Sequence, residues 1–371
     1  MNELLGNYTF QVVALGSGIL GLIAGTLGTY AVLRRQSLIG DAVSHAALPG
    51  IVLAFMLTGS KLPLVLLLGA GISGWLALVW VYGMVHSTRL KFDAALGASL
   101  AAFFGLGMVL LTYIRNRAGA AQAGLDRYLF GQAATLLQED VRIMAVLGCV
   151  ALLLVWLFWK EFKLLSFDPL FASALGYRVR FLEGLMTGLL VVAIVIGLQT
   201  VGVVLMSAVL IAPPVAARQW TRRLGSMMLL SGFLGFSGGV GGAVVSSLAP
   251  HIPTGPVIVL IMTIMALISI LVAYDRGLLW RFFRRWHHQS QRGEQRVLEV
   301  MVQLARHHKG EKQCHTTAVI QTAVGRWMAV SAILRRLKRK GWVAEPEKGC
   351  WLLTEQGMLH VKTYDHAQPG I

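Results

Sequence analysis

Nine stretches of this chain are long and apolar enough to leave water altogether, and they set what it can fold into. They fall at about 9–33, 40–58, 62–85, 94–114, 141–159, 181–199, 201–217, 226–248 and 254–274. Crossing the ~30 Å hydrocarbon layer of a bilayer takes roughly 20 residues of helix. Backbone groups find no partner in hydrocarbon, so each run must satisfy its own N–H and C=O groups as an α-helix. Eight or nine spans are expected. The count turns on 181–217, where one long apolar stretch either turns near Gln199, Thr200 and Gly202 or continues as a broken helix. A soluble or secreted globular chain is excluded, and the first run, which lacks a basic leader and a small-residue cleavage site, reads as a retained span.

Charge divides the chain a second time. Residues 276–371 hold 17 Lys and Arg against 7 Asp and Glu, so ten of the sixteen net positive charges lie there. The expected organisation is a membrane domain, 1–285, a linker, 286–293, and a polar domain, 294–371. Lys and Arg accumulate on the cytoplasmic side of short loops. An external N-terminus puts Arg34, Arg35, Arg89, Lys91, Lys160, Lys163, Arg178, Arg180, Arg218, Arg222, Arg223 and the basic tail inside, leaving Lys61, Arg115, Arg117 and Arg127 outside. The C-terminus is then cytosolic. Cys149, Cys314 and Cys350 are odd in number and widely spaced, which argues against a disulfide framework and is compatible with a reducing compartment. Glycine recurs in the spans, at 16, 18, 21, 25 and 28 and again at 235, 238, 239, 241 and 242. Small residues at such spacing let helices pack closely.

Ionisable groups are costly in a bilayer and tend to face a cavity or a partner. The second span opens GDAVSHAALPG, with Asp41 and His45 four residues apart and so on one helical face. A carboxylate oxygen with an imidazole nitrogen suits manganese, iron or zinc. Counted from Arg35 at ~1.5 Å per residue, His45 lies roughly 15 Å deep, near the middle of the hydrocarbon. Pro49 cannot donate to the carbonyl of His45, which opens the helix at that level. The structural alternative is that Asp41 caps the helix and His45 bonds a neighbouring span. Two side chains do not complete a coordination shell, so other ligands must come from another span or from water.

The stretch SLIGDAVSHAALPG, residues 37–50, closely resembles the signature of the ABC-3 family of metal permeases, the membrane subunits of manganese, zinc and iron importers. YLFGQ at 128–132 and the run from Gly202 through VLMSAVLIAPPVAAR to Arg218 agree with it, and the likeness extends over about 5–280. The resemblance implies that Asp41 and His45 line the path of a transported ion, with no permanently bound cofactor. It also implies a multi-pass protein of the bacterial cytoplasmic membrane, working by alternating access with a cytosolic ATPase, an external metal-binding protein and a second permease chain, alike or different. The LPG after His45 is closer to manganese and iron members than to zinc ones. No G-x-x-x-x-G-K-[ST] phosphate loop occurs in the chain, so ATP hydrolysis belongs to another polypeptide.

The loop SFDPLFASALGYRVR, 166–180, reads as a short helix begun by Asp168 and Pro169 and ended by Gly176. It looks like the coupling helix that docks such permeases on their ATPase, which points to Asp168, Pro169, Leu170, Ala174 and Gly176; an amphipathic connector is the alternative. Pro213 and Pro214 break the seventh span and free the carbonyls of Val209 and Leu210, as a hinge or a fixed kink. His251 in the outer loop is either a receiver of metal or an ordinary loop histidine.

In the tail, Val297, Leu298, Met301, Val302 and Leu304 suggest an amphipathic helix. A short helix after Thr316 and Thr317 follows, then a basic helix, a strand at 342–344, a tight wing, a strand at 350–353 and a last helix from Thr354. This small α+β order resembles the winged-helix domain of diphtheria-toxin-repressor-type metalloregulators, and it departs from the usual ABC-3 permease, which ends soon after its last span. Arg335, Arg336, Lys338, Arg339 and Lys340 suit nucleic-acid phosphates or lipid headgroups. Contact with the ATPase or another tail fits them better than DNA. His307, His308, Cys314 and His315 are possible metal ligands without regular spacing. The rival to a transport subunit is a membrane-tethered transcription regulator with a DNA-binding tail, for which nine glycine-rich spans are more than an anchor needs. An intramembrane protease lacks H-E-x-x-H.

Overall fold

The computed structural model describes residues 8–60, 62–115, 131, 133, 136–248, 252–273, 277–307, 314–325 and 330–367. It forms two compact units, Met1–Gly277 and Leu278–Ile371.

The first unit is helical. In chain order it holds α1 (Tyr8–Leu33), α2 (Ile39–Thr58), α3 (Pro63–Ser87), α4 (Phe92–Arg115) and α5 (Gln138–Leu157). Two short helices follow, α6 (Trp159–Phe167) and α7 (Pro169–Ala174), then α8 (Val179–Leu198), α9 (Val203–Trp220), α10 (Leu224–Leu248) and α11 (Thr254–Val272). Nine of these described helices are long and apolar enough to span a membrane. The apolar stretches of α1, α2 and α8 are 67% buried against neighbours and those of α4, α5 and α11 only 28%, so the former make the interior and the latter the rim.

Lipid tails are as apolar as leucine, so helices in a membrane gain from close packing and hydrogen bonds rather than from hiding hydrocarbon from water. The bundle is built that way around α1. Gly21 of α1 and Gly235 of α10 meet backbone to backbone, and a Cβ on either would strike the other's carbonyl. One turn along, Ser231 Oγ of α10 donates to the Gly25 carbonyl of α1 at 2.6 Å. The 181–217 stretch divides into α8 and α9 through a turn at Gln199–Gly202, where Gly202 has φ 87°. That left-handed region is open to glycine at little cost. Gly131, at φ 69°, lies directly on the Val201–Gly202 backbone, joining the start of α9 to the loop before α5.

At α7 the local sequence dictates both ends. Asp168 Oδ1 accepts from Phe171 N at 2.9 Å, Pro169 takes the first helical position, and Gly176 at φ 84° lets Tyr177 N reach back to the Ala172 carbonyl. This pairs an Asp cap with a glycine stop.

The second unit opens with one helix, α12 (Leu278–His307), that runs unbroken through 286–293, the residues read as a linker. That segment contains one glycine and no proline, so nothing in it ends a helix. Then come β1 (His315–Thr316), α13 (Thr317–Val324), α14 (Val330–Arg339), β2 (Val343–Glu347), β3 (Cys350–Leu353) and α15 (Glu355–Ala367). The three strands form an antiparallel sheet in the order β1-β3-β2, with Gly349 at φ 85° in the tight β2–β3 connection. Val297, Leu298 and Met301 of α12 pack with Ile320, Leu334, Leu337, Val343 and Trp351 as one core. Lys338 pairs with Glu345 at 2.7 Å across to the hairpin, and this hydrogen bond holds the carboxyl below its ordinary range.

The cysteine reading is corrected here. Cys314 and Cys350 form a disulfide, with Cα atoms 5.5 Å apart. The β1–β3 register explains it, since Thr316 lies opposite Cys350 and brings two residues 36 apart in sequence side by side. Cys149 is free and exposed.

If the α1–α10 backbone contact carries the bundle, Gly21→Val costs about 1–3 kcal/mol of stability through overpacking. Gly97→Ala, where nothing lies within 4 Å, costs less than about 0.5 kcal/mol. Thermal melting of the detergent-solubilised protein checks both, and equal melting of the two variants contradicts the assignment.

Candidate functional site

The first turns of α2 carry Asp41 and His45. Leu38 occupies the cap position and makes no side-chain cap bond, so Asp41 is the third helical residue rather than the cap. His45 Nε2 stands 3.5 Å from Asp41 Oδ1, one turn apart on the same face. The His45 side chain is 15% exposed and that of Asp41 37%, so the imidazole is tucked between helices while the carboxylate reaches open space. Nδ1 of His45 is enclosed and has no hydrogen-bond partner. Buried polar atoms are nearly always paired, and an unpaired one marks either a cost or a place kept for something else.

Three neighbours hold this face. The Phe104 ring of α4 meets the imidazole edge to face at 4.7 Å, fixing its plane. Ser73 Oγ of α3 donates to the Ala46 carbonyl at 2.6 Å, one residue beyond the carbonyl that Pro49 leaves without its helical donor. A Cβ at Gly107 of α4 would come within 3.0 Å of Leu48 and Pro49, so α4 is seated on the proline turn itself. Gly50 of α2 and Gly69 of α3 touch through their backbones. The helix is thus pinned from two sides at the level of His45. A carboxylate oxygen beside an imidazole nitrogen is a partial coordination set with the remaining positions left to other donors. Among the described residues no group of three or more His, Cys, Asp or Glu is placed to hold a metal ion.

Pro213 and Pro214 lie inside α9, both buried, and the helix continues through them to Trp220. The Leu210 carbonyl, which Pro214 deprives of a donor, points onto Gly28 of α1. At the other face of α9, Leu210 also covers Gly40, so this helix backs the first turn of α2. The α1–α2 turn is tied to α8 by the Arg34–Glu183 ion pair, which joins the base of the site helix to the helix that follows α7. Sequence periodicity signals neither Phe104 nor Ser73, since both belong to contacts between helices; Glu183, a lone acid near the start of an apolar run, was open to notice.

Around α7 the apolar side chains point outward. Leu170 is 81% exposed, with Phe171 and Leu175 exposed beside it, whereas Ala172 is buried. Asp168, Pro169, Ala174 and Gly176 shape this knob and stay on its surface. In the second unit Arg335, Arg336, Lys338, Arg339 and Lys340 are all exposed on α14 and its end. Among them Lys338 pairs with Glu345, and Lys340 with Glu294 at 2.6 Å. The tail cluster of possible ligands loses Cys314, whose sulfur is bonded to Cys350. His251, His308, and all of YLFGQ but Gly131 lie outside the described residues, as does the side chain of His307.

Known proteins share this bundle and its sequence. A family model described as the ABC 3 transport family matches residues 7–273. The chain is 49% identical over 283 residues to the zinc transport system membrane protein TroC of Treponema pallidum (strain Nichols), covering 76% of this chain and 95% of that one. It is 40% identical over 351 residues to the manganese transport system membrane protein MntC of Bacillus subtilis (strain 168), covering 94% and 80%. An alignment of that length exceeds the first unit and so runs into the second. A solved structure, PsaBC from Streptococcus pneumoniae in complex with Fab, superposes with a TM-score of 0.66 at 32% identity, covering 74% of this chain and 95% of that one. The family model spans nearly the whole of the helical unit, two relatives match at 40% identity or more, and the chain belongs to the ABC 3 transport family.

Proposed function

We propose that the chain is the membrane permease subunit of an ATP-binding cassette importer for a divalent transition metal, with Asp41 and His45 on the path of the ion. The observation that carries the site is the His45 ring, fixed by Phe104, with Nε2 beside the Asp41 carboxylate and an enclosed Nδ1 that has no hydrogen-bond partner. Family membership supports the transport reading, and the names of the relatives support zinc or manganese as cargo. Iron enters from the sequence around His45. The remaining ligands come from water or from a second permease chain, which suits a carboxylate that opens outward.

The N-terminus faces outward and the second unit lies in the cytosol of a bacterial cell, on the strength of the basic loops. The Cys314–Cys350 disulfide weighs the other way, because such bonds persist in oxidising compartments. A charge bias spread over many loops outweighs one pair. The exposed apolar knob of α7 then docks on a separate ATPase, and an external metal-binding protein delivers the ion. In the second unit, the order of helices followed by a β2–β3 hairpin supports a winged-helix reading. A fold of this kind does not by itself establish DNA binding. Lys338 and Lys340, which DNA would need, already serve intramolecular pairs, which favours a regulatory or assembly contact over a transcription regulator.

In cells relying on this transporter, Asp41→Ala and His45→Ala each reduce initial metal uptake by about tenfold or more, the scale on which metal-site changes act. Protein levels in the membrane stay constant, and intact uptake by both variants rejects the site. Leu170→Asp places a charge in the docking knob and lowers ATPase co-purification with the permease, while Arg222→Ala, elsewhere among the basic loops, does not; equal co-purification of both rejects the docking assignment. Deleting residues 294–371 leaves measurable metal uptake if transport is the principal activity, and its complete loss with the protein still in the membrane supports an obligatory role for the tail.

A further inference from the structure

The bundle carries a groove that the transport reading does not use. Between α3 and α8 runs a slot of about 800 Å³, lined almost wholly by apolar side chains from Leu64 and Ile196 at one end to Trp75 and Phe181 at the other. This is within the size range of sites that hold small organic ligands. Glycine keeps it open. Gly71 has nothing within 4 Å of where a Cβ would stand, and a Cβ at Gly188 would meet the Trp75 ring at 3.2 Å. At the basic end the slot passes into a second, more polar cavity of about 380 Å³, sharing Trp75, Arg180 and Gly184 with it and adding Tyr82, His86, Glu183 and Thr187.

The polar end is electrically one-sided. Glu183 is engaged by Arg34. Arg180 is exposed at the start of α8 and makes no ion pair with a described residue. The Tyr82 hydroxyl is enclosed and has no hydrogen-bond partner. A long apolar slot that ends in an uncommitted guanidinium and an uncommitted hydroxyl has the chemistry of one kind of molecule, a hydrocarbon chain with an anionic head. A transmembrane helix of a second copy would fill the slot but leave the cation and the hydroxyl unanswered.

We propose that this groove is a binding site for an anionic phospholipid. An acyl chain occupies the slot beside Trp75 and Gly71, and the phosphate sits on Arg180 with the Tyr82 hydroxyl donating to it. Arg180 stands in the first turn of α8, at one end of a span, and guanidinium holds phosphate through paired, charge-assisted hydrogen bonds. The lipid would fill the gap between α3 and α8, the latter being the helix that leads away from α7.

The test uses the full-length protein in mild detergent, exchanged against equimolar phosphatidylglycerol and phosphatidylcholine and examined by native mass spectrometry. The expected result is a retained phosphatidylglycerol, favoured by about tenfold over phosphatidylcholine. Arg180→Ala brings the ratio close to one while Arg180→Lys keeps most of the preference. Gly71→Phe, which has room for the ring, removes the adducts of both lipids. The proposal is overturned if the wild-type protein retains neither lipid or shows no headgroup preference. It is equally overturned if Arg180→Ala keeps the full preference, or if the Leu68→Cys variant crosslinks through position 68 to a second copy, which would show the groove covered by protein. Thermal melting accompanies each variant, and should Gly71→Phe melt early, the Arg180 pair decides alone.

Discussion

A polar group inside hydrocarbon must find its partner within the protein, and the rest of this structure follows from that requirement. The spans are helices because only a helix satisfies its own backbone. Their contacts are glycine-lined because, without water to expel, the gain comes from bringing backbones together. Gly21 against Gly235 and Gly50 against Gly69 are such contacts. Side chains add hydrogen bonds between helices at these contacts: Ser231 donates to the Gly25 carbonyl and Ser73 to the Ala46 carbonyl.

The same requirement gives the Asp41–His45 face its meaning. A proline at 49 removes a backbone donor, α3 and α4 close on that turn, and the imidazole is left with one nitrogen toward Asp41 and one toward nothing. A permanently filled site would complete its shell from its own chain. A path has to bind weakly enough to release, so under the proposed role an incomplete pair suits transport better than storage. The Arg34–Glu183 pair adds mechanical continuity, since it ties the base of this helix to the segment that emerges from α7.

Much of this was legible in the sequence because apolar runs, caps and breakers act locally. The spans and both ends of α7 are set by residues within a few positions of one another, while at 181–217 the same local signals left a turn at Gly202 and a broken helix both open. What depended on register or packing was not legible. The Cys314–Cys350 bond needs the β1–β3 alignment, Phe104 reaches His45 only because α4 seats Gly107 on Pro49, and the α3–α8 groove exists through glycines that read simply as packing residues. The boundary at Gly277 differed from 285 for a plainer reason. A basic, polar stretch looks like a linker, but nothing in 286–293 prevents a helix from continuing.

The central claim is that this bundle conducts a divalent transition metal at the expense of ATP hydrolysed by a partner. The measurement closest to it is uptake by liposomes holding the permease with its ATPase, supplied with the external carrier and assayed in turn with manganese, iron and zinc. The account predicts accumulation of at least one of these ions that requires ATP and stops when ATP is withheld. Vesicles that hydrolyse ATP yet accumulate none of the three, with every component present and folded, would contradict it.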